Sequence, residues 1–181
     1  MGSSFDSVSI VDFAMKISFL SWLLFWSVVT TGISSSPESP TVTTPSPDGR
    51  FVAQISSKEG EFTEDTVTIS SKQLASRAEF AMTSERGANG RYVLKSEWSS
   101  DSKFFVFSTF SSGGHSSWNF RTFAYSVDAN KFVSIDEKVR PVTDQEFHLI
   151  SPHTLEVETL NPSGIDFPSL KRTVDLATLF R

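Results

Sequence analysis

Ser46-Pro47-Asp48-Gly49-Arg50-Phe51-Val52-Ala53 and Glu97-Trp98-Ser99-Ser100-Asp101-Ser102-Lys103-Phe104-Phe105-Val106-Phe107-Ser108 are two versions of one pattern, with Ser99 standing 53 residues after Ser46. In each, a polar turn launches an apolar strand. Pro47 presets the backbone for the first corner of the turn, the Asp48 side chain caps it, and Gly49 tolerates a positive φ. A weaker third copy opens at Ser151-Pro152-His153-Thr154-Leu155, 52 residues after Ser99. Ser100 and Ser102 replace the proline and glycine in the second copy, and the third keeps only Ser-Pro.

From Asp48 onward the apolar residues alternate with period two, and helical periodicity is nearly absent. Strands are predicted over residues 51–55, 66–69, 91–94, 104–109, 121–127, 132–135, 155–160 and 172–176, from their β-branched and aromatic content. Residues 72–81 fit either a helical turn or a strand. Phe104-Phe105-Val106-Phe107 is apolar on both faces, which predicts a strand covered on both sides. Asp128-Ala129-Asn130-Lys131 reads as a hairpin turn with Asn130 suited to the left-handed position. The fold class is therefore all-β, built from antiparallel meanders.

The turn-and-strand resembles the W-S-P-D-G-K repeat of WD40-like propellers of the TolB-like type, and Tyr125-Ser126-Val127-Asp128 with Asn130-Lys131 resembles the outer hairpin of such a blade. That resemblance implies blade-like repeats in an exported, periplasmic or extracellular protein. Residues 48–181 would supply about three blades at roughly 40–45 residues each, whereas closed rings usually have about 4–8. A partial propeller, a compact sandwich of meanders and a ring completed by a second chain all fit.

Ahead of the domain, Ile17 to Ile33 runs without a charge and Lys16 precedes it, the order of a signal peptide. Asp6 and Asp12 are out of place in such a segment, but a start at Met15 leaves them out. Thr30 and Gly32 would place a cleavage before Ile33. An uncleaved anchor also fits, since 17 residues reach the lower limit for spanning a bilayer. Either reading of residues 1–33 predicts export, with membrane contact only in the second. A buried core helix fits worse, because Ser and Thr occur on every face. Residues 34–47, with four prolines, read as a solvated linker.

Composition narrows the function. The 181 residues carry a net charge of −5, 38% apolar residues, 17 phenylalanines and no cysteine. There is material for a core, no disulfide framework, no thiolate nucleophile and no Cys-ligated zinc. No Lys/Arg cluster stands out along the chain, so nucleic acid is not an expected partner. The most unusual local stretch is Ser111 to Asn119, where Gly113 and Gly114 permit an open backbone and His115 and Trp118 offer an imidazole and a stacking face. It is the candidate binding loop, for a protein, peptide or glycan. A polar hairpin loop whose Trp caps the sheet is the plainer reading.

No Gly-x-Ser-x-Gly elbow is present, and no catalytic residue, cofactor or metal site is assigned. His115, His148 and His153 lack zinc-site spacing, and Glu59, Glu61, Glu64 and Asp65 read as a solvated loop. Trp98 is expected to pack between strands. The expected protein is an exported, non-enzymatic interaction module. A loop-built hydrolase and a membrane-tethered structural component of the envelope are the alternatives.

Overall fold

The computed structural model describes residues 40–58, 64–72, 77–81, 91–111, 120–161 and 169–181. All of them belong to one compact unit, Pro37–Arg181. The unit is all-β, with three antiparallel sheets that are each a meander of strands consecutive in sequence. Sheet A contains β1 (Thr41–Pro45), β2 (Phe51–Lys58), β3 (Glu64–Ser71) and β4 (Arg77–Ala81). Sheet B contains β5 (Arg91–Trp98), β6 (Phe104–Ser111), β7 (Phe120–Ser126) and β8 (Lys131–Ser134). A four-residue helix, α1 (Asp136–Val139), leads to sheet C. That sheet contains β9 (Val142–Ser151), β10 (Thr154–Thr159) and β11 (Leu170–Asp175), closed by a 3₁₀ turn at Leu176–Thr178.

Three segments differ from the sequence reading, one of them β9 (Val142–Ser151), which no predicted strand covered. Strand β1 lies inside the stretch read as linker, where Thr41-Val42-Thr43-Thr44 pairs with β2. Its β-branched residues favour a strand, and an edge strand tolerates Pro45. The undecided stretch 72–81 contains strand β4, paired with β3.

The alternation along β6 sets the layering. Phe104 and Val106 join a core with Phe147, Leu155, Val157 and Val174 of sheet C. Phe105 and Phe107 join a second core with Ala53, Ile55, Val67 and Ile69 of sheet A. Sheet B is thus the middle of three layers, which is why its central strand needs apolar side chains at successive positions. The stack ends in polar faces. Sheet A turns Thr43, Gln54, Ser56 and Thr66 outward, and sheet C turns out His148, Glu156, Glu158 and Lys171.

The repeat seen in the sequence is a repeat in hydrogen bonds. The Ser46 amide donates to the Phe51 carbonyl at 3.0 Å, and Gly49 N–H donates to the Ser46 carbonyl at 2.9 Å. The Ser46 hydroxyl donates to Asp48 Oδ1 at 2.7 Å and accepts the Phe51 amide at 3.0 Å. In the second copy Ser99, Asp101, Ser102 and Phe104 make the same four bonds, at 2.8, 2.9, 2.7 and 2.9 Å. Gly49 has φ +70° and Ser102 has φ +62°, so the serine holds the left-handed conformation at the glycine's position. Asn130, at φ +47°, takes the left-handed position its hairpin demanded.

The third copy is shorter. Ser151 pairs with Thr154, leaving only Pro152 and His153 as the loop. The carbonyls of Arg50, Lys103 and His153 nonetheless play one role, each accepting an amide from the strand after next, from Lys72, Val127 and Leu176.

Candidate functional site

The three turns are joined to one another. Asp48 N–H donates to the Ser102 hydroxyl at 3.0 Å, linking the first copy to the second. Asp101 Oδ2 lies 2.8 Å from His153 Nε2, linking the second to the third. Trp98 packs between sheets A and B as expected, and its Nε1–H reaches the Thr44 carbonyl at 3.1 Å. Ser99, Asp101 and His153 do converge, but in the wrong order for a nucleophilic triad. The Ser99 hydroxyl donates to the carboxylate, accepts the Phe104 amide and is fully buried, so no imidazole can activate it.

These carboxylates carry a pH signature. Asp48 is lowered to about 2, chiefly by the Arg50 amide and then by the Ser46 hydroxyl. Burial pushes Asp101 up, but the Ser99 hydroxyl, the His153 ring and the Lys103 amide outweigh it and hold Asp101 below the ordinary carboxylate value. A carboxyl depressed on folding contributes stability that is fully present above its unfolded value, here 3.8. That stability is lost as the pH falls through the folded value, about 2 for Asp48. The melting temperature is therefore expected to fall as the pH goes from 4 to 2, and to fall less in Asp48→Asn. Thermal melts across that range check it, and parallel curves for the two proteins would contradict it.

Asp65 departs from the sequence reading. It is buried, accepting the Ser57 hydroxyl and the Val93 amide at 2.7 Å each, so it ties sheet A to β5 rather than belonging to a solvated loop. The Val93 amide is available because β5 bulges between Val93 and Lys95. Glu59 and Glu61 lie outside the described residues, as do Gly113, Gly114, His115 and Trp118 of the candidate loop. So do residues 17–33. Among the described residues no helix is long and apolar enough to cross a membrane, and no group of three His, Asp or Glu side chains could hold a metal ion.

A cleft of about 450 Å³ opens where edge strand β4 of sheet A faces edge strand β8 of sheet B. Its floor is aromatic. Phe80 of β4 lies 4.7 Å from Phe123 and 5.3 Å from Phe132, centroid to centroid. Its rim is cationic, with Arg91, Arg121, Lys131 and Lys138 against Glu137 alone among the described residues. On a chain of net charge −5 this is a local reversal of sign. Lys138 also lines a second opening of about 480 Å³ with Lys171 and Arg172, so the positive surface continues over α1 to the edge of sheet C.

The fold beneath the rim is held by Asp136. Its carboxylate accepts the Thr122 amide at 2.8 Å and the Val142 amide at 2.9 Å, joining β7 to the start of β9. Burial raises its pKa, against those bonds and the nearby Arg121 charge. Sequence reasoning missed this cluster because its four cations come from β5, β7, β8 and α1 and meet only in the folded chain. Arg121 stands two residues after the end of the candidate loop at Asn119, which is the one signal that pointed toward this region.

No protein-family model matches the chain, and no curated protein does. Among solved structures it is similar to a Clostridium novyi NT protein provisionally described as a conserved lipoprotein. The two share 14% identity and a TM-score of 0.47, over 79% of this chain and 91% of that one.

Proposed function

We propose that the chain is an exported binding module of WD40-like or TolB-like repeat character, and that it takes an anionic ligand with an apolar part in the cleft between β4 and β8. The observation that carries this is the cationic rim over a floor of three phenylalanines. Ligand pockets are commonly apolar with a few placed polar groups, and volumes of about 300–1,000 Å³ are usual. The cleft lining also favours binding over the hydrolytic alternative. Among the described residues its lining has no imidazole, and the one hydroxyl there, on Ser134, accepts the Glu137 amide at 3.4 Å. Export rests on the uncharged run from Ile17 to Ile33 behind Lys16. The repeat type rests on the shared turn of Ser46–Phe51 and Ser99–Phe104.

One preparation from the native cell tests both halves. The mature protein is expected to begin near Ile33 and to enhance the fluorescence of 8-anilinonaphthalene-1-sulfonate, an anionic aromatic probe. Lys131→Glu/Lys138→Glu is the informative variant, since both side chains are exposed and Arg121 beside Asp136 is left in place. It should weaken the probe at least about tenfold without changing the melting temperature. Equal binding by the variant contradicts the cleft assignment, and a native N-terminus at Met1 or Met15 in the membrane fraction contradicts cleavage.

A further inference from the structure

The cleft touches Lys131, Phe132, Val133 and Ser134 in succession. Successive side chains of a strand point to opposite faces, so a depression that meets four in a row runs along the strand's edge and not across one face. Strand β8 is such an edge, pairing only with β7 among the described residues.

The pairing parity says which backbone groups face outward. The Ile135 amide donates to the Thr122 carbonyl, so Val133 and Lys131, at steps of two, also direct their main chain toward β7. The main-chain N–H and C=O of Phe132 and Ser134 then point away from the sheet, into the cleft. An exposed row of this kind is a template for another strand.

The side chains say what that strand would carry. Phe132 packs toward sheet A beside Phe80, whereas Val133 packs toward sheet C. Lys131 shares the Val133 face by alternation, and Lys138 lines the same cleft. A strand laid against β8 would therefore meet phenylalanine rings with every second side chain and cationic groups with the residues between.

We infer that the cleft receives an extended acidic peptide of another protein, added to the edge of β8, with carboxylate and apolar side chains alternating. This rests on the cleft being the binding site and adds the partner's chemistry and geometry. Main-chain bonds supply the affinity in such strand addition, and the alternating side chains supply the selectivity.

The probe is a fluorescein-labelled seven-residue peptide alternating glutamate and leucine, tested on the full chain by anisotropy. Two further versions are N-methylated at alternate amides, one in each register, and the anilinonaphthalene probe is titrated in parallel. The parent peptide should bind, Lys131→Glu/Lys138→Glu should weaken it at least about tenfold, and one methylated version alone should lose about as much. If both methylated versions bind like the parent, strand addition is overturned while the cleft survives. If no peptide binds but a sulfated oligosaccharide displaces the small probe, the peptide is overturned and the anion cleft survives. A concentration-dependent dimer lost in the same variant, with no peptide binding, would make a second copy the occupant and overturn the inference. If no probe binds, both readings fall.

Discussion

Phe107→Ala is expected to lower the unfolding free energy by about 3–5 kcal/mol, the usual cost of truncating a buried phenylalanine. Phe107 is fully buried at the centre of β6. Its ring lies 5.3 Å from Phe123, 5.8 Å from Phe80 and 6.2 Å from Phe132. Removing it leaves a cavity between sheets A and B that these rings, held by their own strands, can fill only in part. The loss is a large share of the roughly 5–15 kcal/mol that small domains possess. Urea unfolding measures it as a lower midpoint at unchanged slope. Phe80→Ala made in the same background should cost less than it does alone, because the two rings are in contact. A loss under 1 kcal/mol would mean that β6 is not covered on its sheet A face.

Asp136→Ala is expected to cost about 2–4 kcal/mol. Hydrogen bonds to a charged acceptor contribute about 1.5–3 kcal/mol each, and two buried amides lose their partner together. Part of that is returned, because the buried carboxyl no longer has to be desolvated, the effect that raises its pKa. Asp136→Asn keeps one acceptor oxygen and should fall between the two proteins in a urea titration. Hydrogen exchange at Val142 should accelerate in the alanine variant more than exchange at Phe105, since Asp136 holds the entry to β9 and not the middle of sheet B. Equal acceleration at both sites would mean a global loss and no local role in joining β7 to β9.

The fold was legible wherever one residue's chemistry had one structural solution. The run Phe104 to Phe107 predicted a strand covered on both faces because four apolar residues in succession suit few other places. The Ser-x-Asp turn was legible in two copies because the hydroxyl and carboxylate act within five residues. The third was harder, since Ser151 keeps the register but the loop after it is two residues shorter than in the second copy. Strand β9 was not anticipated. Asp144, Gln145, Glu146 and His148 give it a polar look, and its pairing with β10 is irregular at two places, which breaks the period of two. Strand β1 was hidden by its flanking prolines.

The site was less legible than the fold for a physical reason. A cluster such as Arg91, Arg121, Lys131 and Lys138 is a product of which strand ends and helix lie beside each other, and no short window of sequence contains it. The linear charge pattern therefore suggested no basic surface. Asp65 failed in the opposite direction, looking like one more solvated acid beside Glu64 until a bulge 28 residues later presented it with an amide.

The most direct measurement is a two-dimensional amide NMR titration of the intact protein with the anilinonaphthalene sulfonate probe. The largest shifts are expected at Phe80, Arg121 and Lys131 to Ser134, with those of the turns at Ser46–Arg50 and Ser99–Lys103 unmoved. Shifts concentrated at the turns or on the outer face of sheet C, with β8 silent, would contradict the assignment of the cleft as the binding site.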